Sequence, residues 1–329
     1  MTYDLKRHLP VLALGLLLVV GLFTPLALKV SAPGFWLEVL LGGLMAGVLY
    51  SLVALGFVLI FKASGVFNFA QGAMVFFAAL TYVSLVERGW PFWLALAAVL
   101  ALMIVLGFAI ERVVLRPLVN QPQITLFMVT IGLAYFLEGV AQGVWGAQVH
   151  ALEIGIQDKP FTVAGVSVSQ FDLFASGTAA LLVLVLGVFF QKTKTGRALR
   201  AVADDHQAAL SVGIQLKYVW AVVWAAAGFV ALVAGLLWGA RTGVQFALTF
   251  TALKALPVLI LGGFESILGA IVGGLIIGAT EKLAEVYIGS SIGLNIGTGI
   301  ENWFPYMLAL VFLLFRREGL FGEQRIERI

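Results

Sequence analysis

The sequence predicts an all-α integral membrane protein, a polytopic helix bundle of about eight to ten transmembrane segments with one short charged surface helix. Of its 329 residues 61% are hydrophobic and 11% are charged, and the mean hydropathy is +1.05. This is more apolar than a soluble core needs. Apolar stretches long enough to cross lipid recur along the chain and are separated by short polar loops. We therefore expect one transmembrane domain over residues 1–329.

Hydropathy gives the individual segments. Seven are clear, near residues 10–30, 36–61, 66–86, 91–114, 124–145, 173–191 and 217–238. A further apolar region, 246–284, is interrupted at 262–266, and a last segment covers 301–315. The interrupted region either crosses twice or enters and leaves as two half-helices. With two crossings there the total is about ten segments.

The charge distribution predicts the topology. Basic residues precede the first segment, flank the stretch 196–214 and close the chain: Lys6, Arg7, Lys192, Lys194, Arg197, Arg200, Lys217, Arg316, Arg317, Arg325 and Arg328. The positive-inside rule places all three clusters, and thus both termini, on the cytoplasmic side of the membrane. The loop 146–172 carries Lys159 as its one basic residue and is expected in the periplasm. Because the topology explains the pI of 9.2, we expect no nucleic-acid partner. Membrane lipid is expected around the apolar segments.

The composition leaves little room for chemistry on this chain. There is no cysteine, and the three histidines, His8, His150 and His206, are too far apart in sequence to indicate a metal site. Neither Lys192-Thr193 nor Lys194-Thr195 follows the glycine of a phosphate-binding loop. We expect no catalytic residue, metal or cofactor here, and we disfavour a membrane-embedded enzyme. Any ATP-driven step must occur on another subunit.

Polar residues inside the apolar segments are the candidates for a solute path. The stretch SGVFNFAQG (64–72) has two interpretations: a turn that caps the third helix, or amide side chains that line a path at a helix break. An acid in the fifth segment is closer to the outer surface, where a structural or rim role is favoured, so a proton-coupled carrier lacks its buried acid. The candidates are Asn68, Gln71, Gly72, Glu138, Gly262 and Gly263.

Glycines four residues apart predict close helix packing. The pairs are Gly43 and Gly47, Gly139 and Gly143, Gly235 and Gly239, Gly269 and Gly273, and Gly274 and Gly278. The run 269–278 is denser than one packing neighbour requires, which leaves a subunit interface or a moving helix open.

The charged stretch 196–214, GRALRAVADDHQAALSVGI, cannot lie in lipid. Gly196 can end the preceding helix, the alanines favour a new short helix, and Gly213 stops it. Arg197 and Arg200 precede Asp204 at helical spacing, which predicts charge pairs along one side. The helix either docks on a soluble partner or lies on the membrane surface.

This stretch resembles the coupling loop of the membrane subunits of ATP-binding-cassette importers of the branched-chain amino acid type. The resembling positions are Gly196, Arg197, Arg200, Ala201, Ala203, Asp204, Asp205, Ala209, Gly213 and Ile214. The stretches 40–61, 65–74, 259–281 and 317–322 are similar to further parts of that family, so the resemblance covers about residues 40–329.

The resemblance implies a non-catalytic permease of the type II-like fold. Its partners would be a second homologous permease subunit, with a heterodimer favoured, two cytoplasmic ATPase subunits that bind Mg-ATP, and a periplasmic solute-binding protein. It implies ATPase coupling through Gly196, Arg197, Arg200, Ala201, Asp204, Asp205 and Gly213. The implied cargo is branched-chain or related hydrophobic amino acids, with urea, short amides and aromatic or organic acids as alternatives.

One departure concerns the cargo. Where the family pattern has histidine and an acid, this chain has Gln71 and Ala73. A passive small-solute channel is the alternative from another class, and it would not need the stretch 196–214.

Overall fold

The structure, a computed structural model, describes residues 33–118, 121–156, 159–163, 165–204, 206–291, 299–316 and 318–322. The predicted first span and several residues of the sequence analysis lie outside this part: Lys6, Arg7, His8, Asp205, Arg317, Arg325 and Arg328.

Within the described residues the fold is helical apart from one short hairpin. The α-helices are α1 (Pro33–Ser64), α2 (Gln71–Glu87), α3 (Phe92–Ala109), α4 (Gln123–Trp145), α5 (Gln170–Lys192), α6 (Lys194–Asp204), α7 (His206–Ser211), α8 (Leu216–Thr242), α9 (Thr251–Gly262), α10 (Ile267–Ser291) and α11 (Ile300–Phe315). A π-helix (Ile110–Leu115) and 3₁₀ turns (Arg116–Leu118 and Phe246–Phe250) extend α3 and precede α9.

Six described helices are long and apolar enough to cross a membrane: α1, α3 with its extension, α4, α5, α8 and α10. Three shorter apolar helices are α2, α9 with its preceding turn, and α11. The predicted interruption of 246–284 is confirmed, since α9 ends at Gly262 and α10 begins at Ile267. The all-α membrane fold is confirmed as well.

The predicted outer loop contains an antiparallel hairpin that the sequence analysis did not predict. Strand β1 (Pro160–Val163) pairs with β2 (Val166–Ser169), and Phe161 lies opposite Val168. Gly165 in the turn has a φ of +83°. Farther back in this loop, the backbone of His150 pairs with that of Val244.

Backbone contacts divide the chain into two compact units, each built from separate stretches. Unit 1 comprises Met1–Ser51, Ile156–Ala180 and Lys254–Ile329, and unit 2 comprises Leu52–Gly155 and Leu181–Leu253. Neither half of the sequence forms a unit alone. The prediction of one permease domain over residues 1–329 stays a prediction.

The core of unit 2 is α2, which is apolar on every side and buried from Gln71 to Ser84. It packs against α4 and α8, and α8 packs against α3. Small residues bring the backbones together there: a Cβ on Gly107 would lie 2.6 Å from the amide nitrogen of Ala225, and one on Gly235 would lie 2.6 Å from the carbonyl oxygen of Val75.

Unit 1 is built on a glycine contact between α1 and α10. A Cβ on Gly43 would lie 2.7 Å from the carbonyl oxygen of Gly278, and one on Gly47 would meet the carbonyl of Gly274. These two predicted glycine pairs therefore pack against each other. Because positions 43 and 47 oppose 278 and 274 in that order, α1 and α10 run antiparallel.

The other glycine pair of α10 faces a second neighbour. A Cβ on Gly273 would lie 2.7 Å from the carbonyl oxygen of Val258 in α9, and one on Gly269 would meet the backbone of Gly262. The density of the run 269–278 thus has a packing reason inside unit 1, since α10 is in contact with both α1 and α9. Gly139 and Gly143 differ, because no described residue lies within 4 Å of a Cβ placed on either.

Candidate functional site

Residues 194–204 and 206–211 form two short helices, α6 and α7, where one helix was predicted. The prediction that Gly196 ends the preceding helix is wrong, because α5 ends at Lys192 and Gly196 lies in the first turn of α6. They join the end of α5 to the start of α8 in unit 2. The side chain of Thr193 begins the connection: its hydroxyl accepts from the amide of Gly196 at 3.1 Å and donates to the carbonyl of Phe189 at 2.7 Å. A Cβ on Gly196 would collide with the carbonyl of Phe190. Glycine at 196 therefore lets α6 fold back against α5.

Arg200 fixes α6 to the end of α5. Its guanidinium donates to the carbonyl oxygens of Phe190 at 3.0 Å and Gln191 at 3.1 Å. These carbonyls belong to the last turn of α5, where helix geometry leaves them without partners and where a cation is favoured. The described bonds of Arg200 are thus to α5. The side chain of Asp204, its predicted pairing partner, is outside the described part.

The apolar face of α6 points inward, and its charged face does not. Leu199 and Val202 are buried, whereas Arg197 is exposed and Ala201 is half-buried. Helix α6 packs on α8. The α6 segment therefore has one face on the membrane helices and one face open to contact.

Gly213 ends α7 as predicted. With φ of +83° it occupies the left-handed region, its amide donates to Leu210 at 3.0 Å, and the amide of Ile214 donates to Ala209 at 3.0 Å. This is the Schellman arrangement of a helix C-terminus. Just before Gly213, two apolar side chains are strongly exposed, Leu210 at 53% and Val212 at 74%. Exposed apolar side chains at this place fit both alternatives of the sequence analysis, contact with a soluble partner and contact with the membrane surface.

The amide pair of the second candidate site lies at the break before α2. Asn68 and Gln71 are fully buried. The Asn68 carbonyl oxygen accepts from the amide of Ala70 at 3.1 Å, and its amide group donates to Gln71 at 3.3 Å. Gln71 in turn donates to the carbonyl of Ala227 in α8 at 3.5 Å. The stretch therefore forms a turn, as one interpretation predicted, but no side chain caps the start of α2 at Ala70. The solute-path interpretation stays a prediction.

The break also lies well inside unit 2. Ala227 is eleven residues after the start of α8 at Leu216, or about 16 Å along a helix axis. A Cβ on Gly56 would collide with the amide of Gln71, and Gly56 precedes the end of α1 by eight residues, or about 12 Å. Residues 65–70 thus return from the end of α1 to a deep position, where irregular backbone must be buried in protein or line a cavity.

Packing around the break is close. A Cβ on Gly72 would collide with the carbonyl of Thr249. Three phenylalanines cover the other side: Phe67 stacks on Phe57 with ring centroids 5.0 Å apart, and Phe69 contacts Phe67 edge-on at 4.6 Å. The hydroxyl of Thr130 donates to the carbonyl of Phe67 and accepts from the amide of Phe69. The break is therefore held from α1, α4 and α8.

Glu138 is not part of this cluster. It lies eight residues beyond Thr130 in α4, or about 12 Å along the helix, and is half-buried. The structure therefore does not bring Glu138 together with Asn68 and Gln71.

Gly262 and Gly263, the last predicted path residues, lie at the junction of α9 and α10 in unit 1. Gly263 has a φ of +102°. A Cβ on Gly262 would collide with the backbone of Gly269, and one on Gly263 would lie 2.9 Å from the amide nitrogen of Gly322. Backbone atoms of unit 1 thus pack closely against both glycines.

The partner of this junction is the tail segment 318–322, which sequence reasoning did not connect with it. The amide of Leu320 donates to the carbonyl of Leu261 at 2.8 Å, and that of Phe321 donates to Gly262 at 3.1 Å. The tail thus satisfies the free carbonyls at the end of α9. In the sequence, the glycines of EGLFG (318–322) indicate a close backbone contact, but they do not show which part of the chain makes it.

Comparisons with known proteins fit this arrangement. The family model for the branched-chain amino acid transport system permease component matches residues 39–315. The chain belongs to this family. It is therefore a transport permease subunit and a multi-pass protein of the inner membrane.

Similar curated permeases cover most of the chain. One is the high-affinity branched-chain amino acid transport system permease protein LivH of Escherichia coli strain K12, 28% identical over 90% of this chain and 98% of LivH. BraD of Pseudomonas aeruginosa is 28% identical over 89% of this chain and 98% of BraD. A probable LivH of Methanocaldococcus jannaschii is 30% identical over 78% of this chain and 83% of that permease.

Proposed function

We propose that this permease is one of two homologous membrane subunits of an ATP-binding-cassette importer for branched-chain amino acids. LivH of Escherichia coli and BraD of Pseudomonas aeruginosa carry that activity in their names and are matched over nearly their whole length. Two ATPase subunits on the cytoplasmic face bind and hydrolyse Mg-ATP, and a periplasmic binding protein delivers the amino acid. Both termini and the α6–α7 segment lie in the cytoplasm, as the basic clusters favour.

The observation that carries this proposal is the α6–α7 segment. It is inserted between two long apolar helices, α5 and α8, and Arg200 ties it to the first of them. The side chains of Arg197, Leu210 and Val212 in this part of the chain are exposed. A passive channel has no use for a rigidly attached, partner-facing helix pair on the membrane helices.

Coupling then follows from rigid attachment. Closure of the ATPases moves the docked α6–α7 segment, and its bonds to α5 and its packing on α8 pass the movement to the membrane helices. Two states of the permease, open to either side, exchange in this way. The coupling residues are Gly196, Arg197, Arg200, Ala201, Asp204, Asp205 and Gly213, of which Gly196 and Arg200 act by holding α6 on α5.

The test is co-purification of the tagged permease with its ATPases. The variant Leu210→Asp plus Val212→Asp changes exposed side chains only, so it should assemble in the membrane and lose the ATPases. The matched control, Gln148→Asp plus Val149→Asp, alters exposed positions in the predicted periplasmic loop 146–172. It should retain the ATPases. Equal recovery of ATPases by both variants would contradict docking on α6–α7.

A further inference from the structure

A charged cluster in unit 1 is separate from the sites described above. Glu281 of α10 is buried, with 3% of its side chain exposed, and one of its oxygens, Oε1, takes two partners. Tyr50 of α1 donates its hydroxyl to that oxygen at 2.9 Å, and the ammonium of Lys254 in α9 lies 3.4 Å from it. A buried carboxylate in an apolar helix is costly unless it is paired, so its presence calls for a function.

Lys254 also approaches a second acid. Its ammonium lies 4.0 Å from a carboxylate oxygen of Glu301, in the first turn of α11. That distance is too long for a hydrogen bond. Lys254 and Glu301 are partly exposed, at 31% and 40% of their side chains. The ammonium group of Lys254 is therefore held by the buried Glu281 and also lies near the partly exposed Glu301.

The cluster lies at the end of unit 1 away from the tail segment. The tail bonds the last turn of α9, while Lys254 is seven residues earlier in that helix, or about 11 Å away. Glu301 lies in the first turn of α11, and Phe315 ends this helix just before the tail, so Glu301 is at the end of α11 that is far from the tail. In the proposed orientation the cluster belongs to the periplasmic half, where cargo arrives from the binding protein.

The charges suit one class of cargo. Lys254 stands beside two carboxylates, on Glu281 and Glu301. A second cation near Glu281, Lys282, is paired with Glu285 at 2.6 Å. Because the second carboxylate near Lys254 is therefore not offset, an incoming ammonium group is favoured near Glu301. Lys254 has three donor hydrogens, and its two described contacts, at 3.4 and 4.0 Å, are long. A donor hydrogen of Lys254 can therefore bind an incoming carboxylate while the contact with Glu281 is kept.

We propose that Lys254 and Glu301 bind the carboxylate and ammonium groups of a zwitterionic amino acid in transit, with Glu281 and Tyr50 as positioning residues for the lysine. This inference rests on the proposed import of amino acids. It assigns to the permease a transient headgroup site, while the side chain of the cargo meets the surrounding apolar helices.

A neighbouring ion pair provides a matched control. Lys282 and Glu285 of α10 form a 2.6 Å pair with exposures of 32% and 40%, close to those of Lys254 and Glu301. The test variant is Lys254→Met plus Glu281→Gln, which removes both members of the pair and leaves no uncompensated buried charge. The control, Lys282→Met plus Glu285→Gln, makes the same two chemical changes. A second test variant is Glu301→Gln, with Glu285→Gln beside it.

The experiment uses the complete importer in proteoliposomes and measures uptake of radiolabelled leucine from saturating binding protein. We expect both test variants to assemble, to keep the ATPase activity stimulated by the binding protein, and to lose at least tenfold in uptake. Both controls should stay within twofold of wild type. Lys254→Arg should keep at least half of the uptake, because its charge is retained.

Wild-type uptake by the test variants would show that the cluster is a structural ion pair and would overturn the inference while leaving import intact. Loss of assembly in Lys254→Met plus Glu281→Gln, or equal loss of uptake in the controls, would overturn it too. Absence of leucine uptake by the wild-type importer would remove the proposed function and this inference together.

Discussion

The guanidinium of Arg200 donates a hydrogen bond to the carbonyl oxygen of Phe190 at 3.0 Å, ten residues earlier in the chain. This bond caps the end of α5 with a side chain of α6, so a residue of the α6–α7 segment is part of the termination of α5. A force applied to α6 thus acts on α5 without an intervening flexible loop.

Replacement of Arg200 should uncouple the permease. We expect Arg200→Ala to retain its ATPases, because the described bonds of Arg200 are to α5, but to import about tenfold less per ATP hydrolysed, about 1.4 kcal/mol of coupling. The control is Lys192→Ala, which removes an exposed cation from the same junction. The measurement is the ratio of leucine taken up to phosphate released. An unchanged ratio in Arg200→Ala would show that this cap transmits nothing.

The contact between α1 and α10 should not tolerate side chains. A Cβ on Gly278 would meet the backbone of both Gly43 and Gly47, so Gly278→Val should lower the free energy of unfolding by about 1–3 kcal/mol or more. Gly42→Val is the control, since no described residue lies within 4 Å of a Cβ at 42. Both are measured as shifts in an SDS unfolding midpoint. Equal shifts would argue against the close approach of α1 and α10.

The buried amide of Asn68 should contribute to stability whether or not it contacts cargo. Asn68→Ala leaves the amide of Ala70 and the side-chain oxygen of Gln71 without their described partner, at a cost of about 1–3 kcal/mol. Gln121→Ala, an exposed amide in the connection before α4, should cost less than about 0.5 kcal/mol. Unfolding midpoints of the purified permease give both numbers. A cost for Asn68→Ala no greater than that of the control would contradict the buried hydrogen bonds.

Adding one methyl group at Gly263 should release the tail segment 318–322 from the junction of α9 and α10. Gly263→Ala combines a strained φ of +102° with a clash against Gly322. Gly89→Ala is the control, because it has a φ of +87° but no described residue within 4 Å of its Cβ. Limited trypsin digestion should cut after Arg316 several times faster in Gly263→Ala only. Equal cleavage rates would mean that the tail does not depend on this junction.

The sequence predicted the elements better than it predicted their partners. Glycine spacing identified both Gly43–Gly47 and Gly274–Gly278 as packing motifs, because a small residue every fourth position has few other uses in lipid. It could not show that these two motifs face each other across more than 200 residues, since any small face can meet any other. The same limit applied to the tail and the α9–α10 junction.

Arg200 shows a second limit. Helical spacing predicted a charge pair with Asp204, and a local pattern can predict no more than that. The bonds to Phe190 and Gln191 exist because Gly196 lets α6 turn back on α5, a tertiary feature that is absent from the spacing of charges. The turn at Asn68 was easier to predict, because an asparagine side chain readily accepts a hydrogen bond from the backbone amide two residues later.

The most direct test of the central claim is ATP-driven uptake of leucine by proteoliposomes that contain this permease, its second permease subunit and the two ATPases, with binding protein outside and ATP trapped inside on the ATPase face. The account predicts leucine accumulation against its gradient with ATP, and none with a non-hydrolysable analogue or with the Leu210→Asp plus Val212→Asp variant. Equilibration of leucine without ATP, or undiminished flux through that variant, would contradict it and would indicate a passive channel.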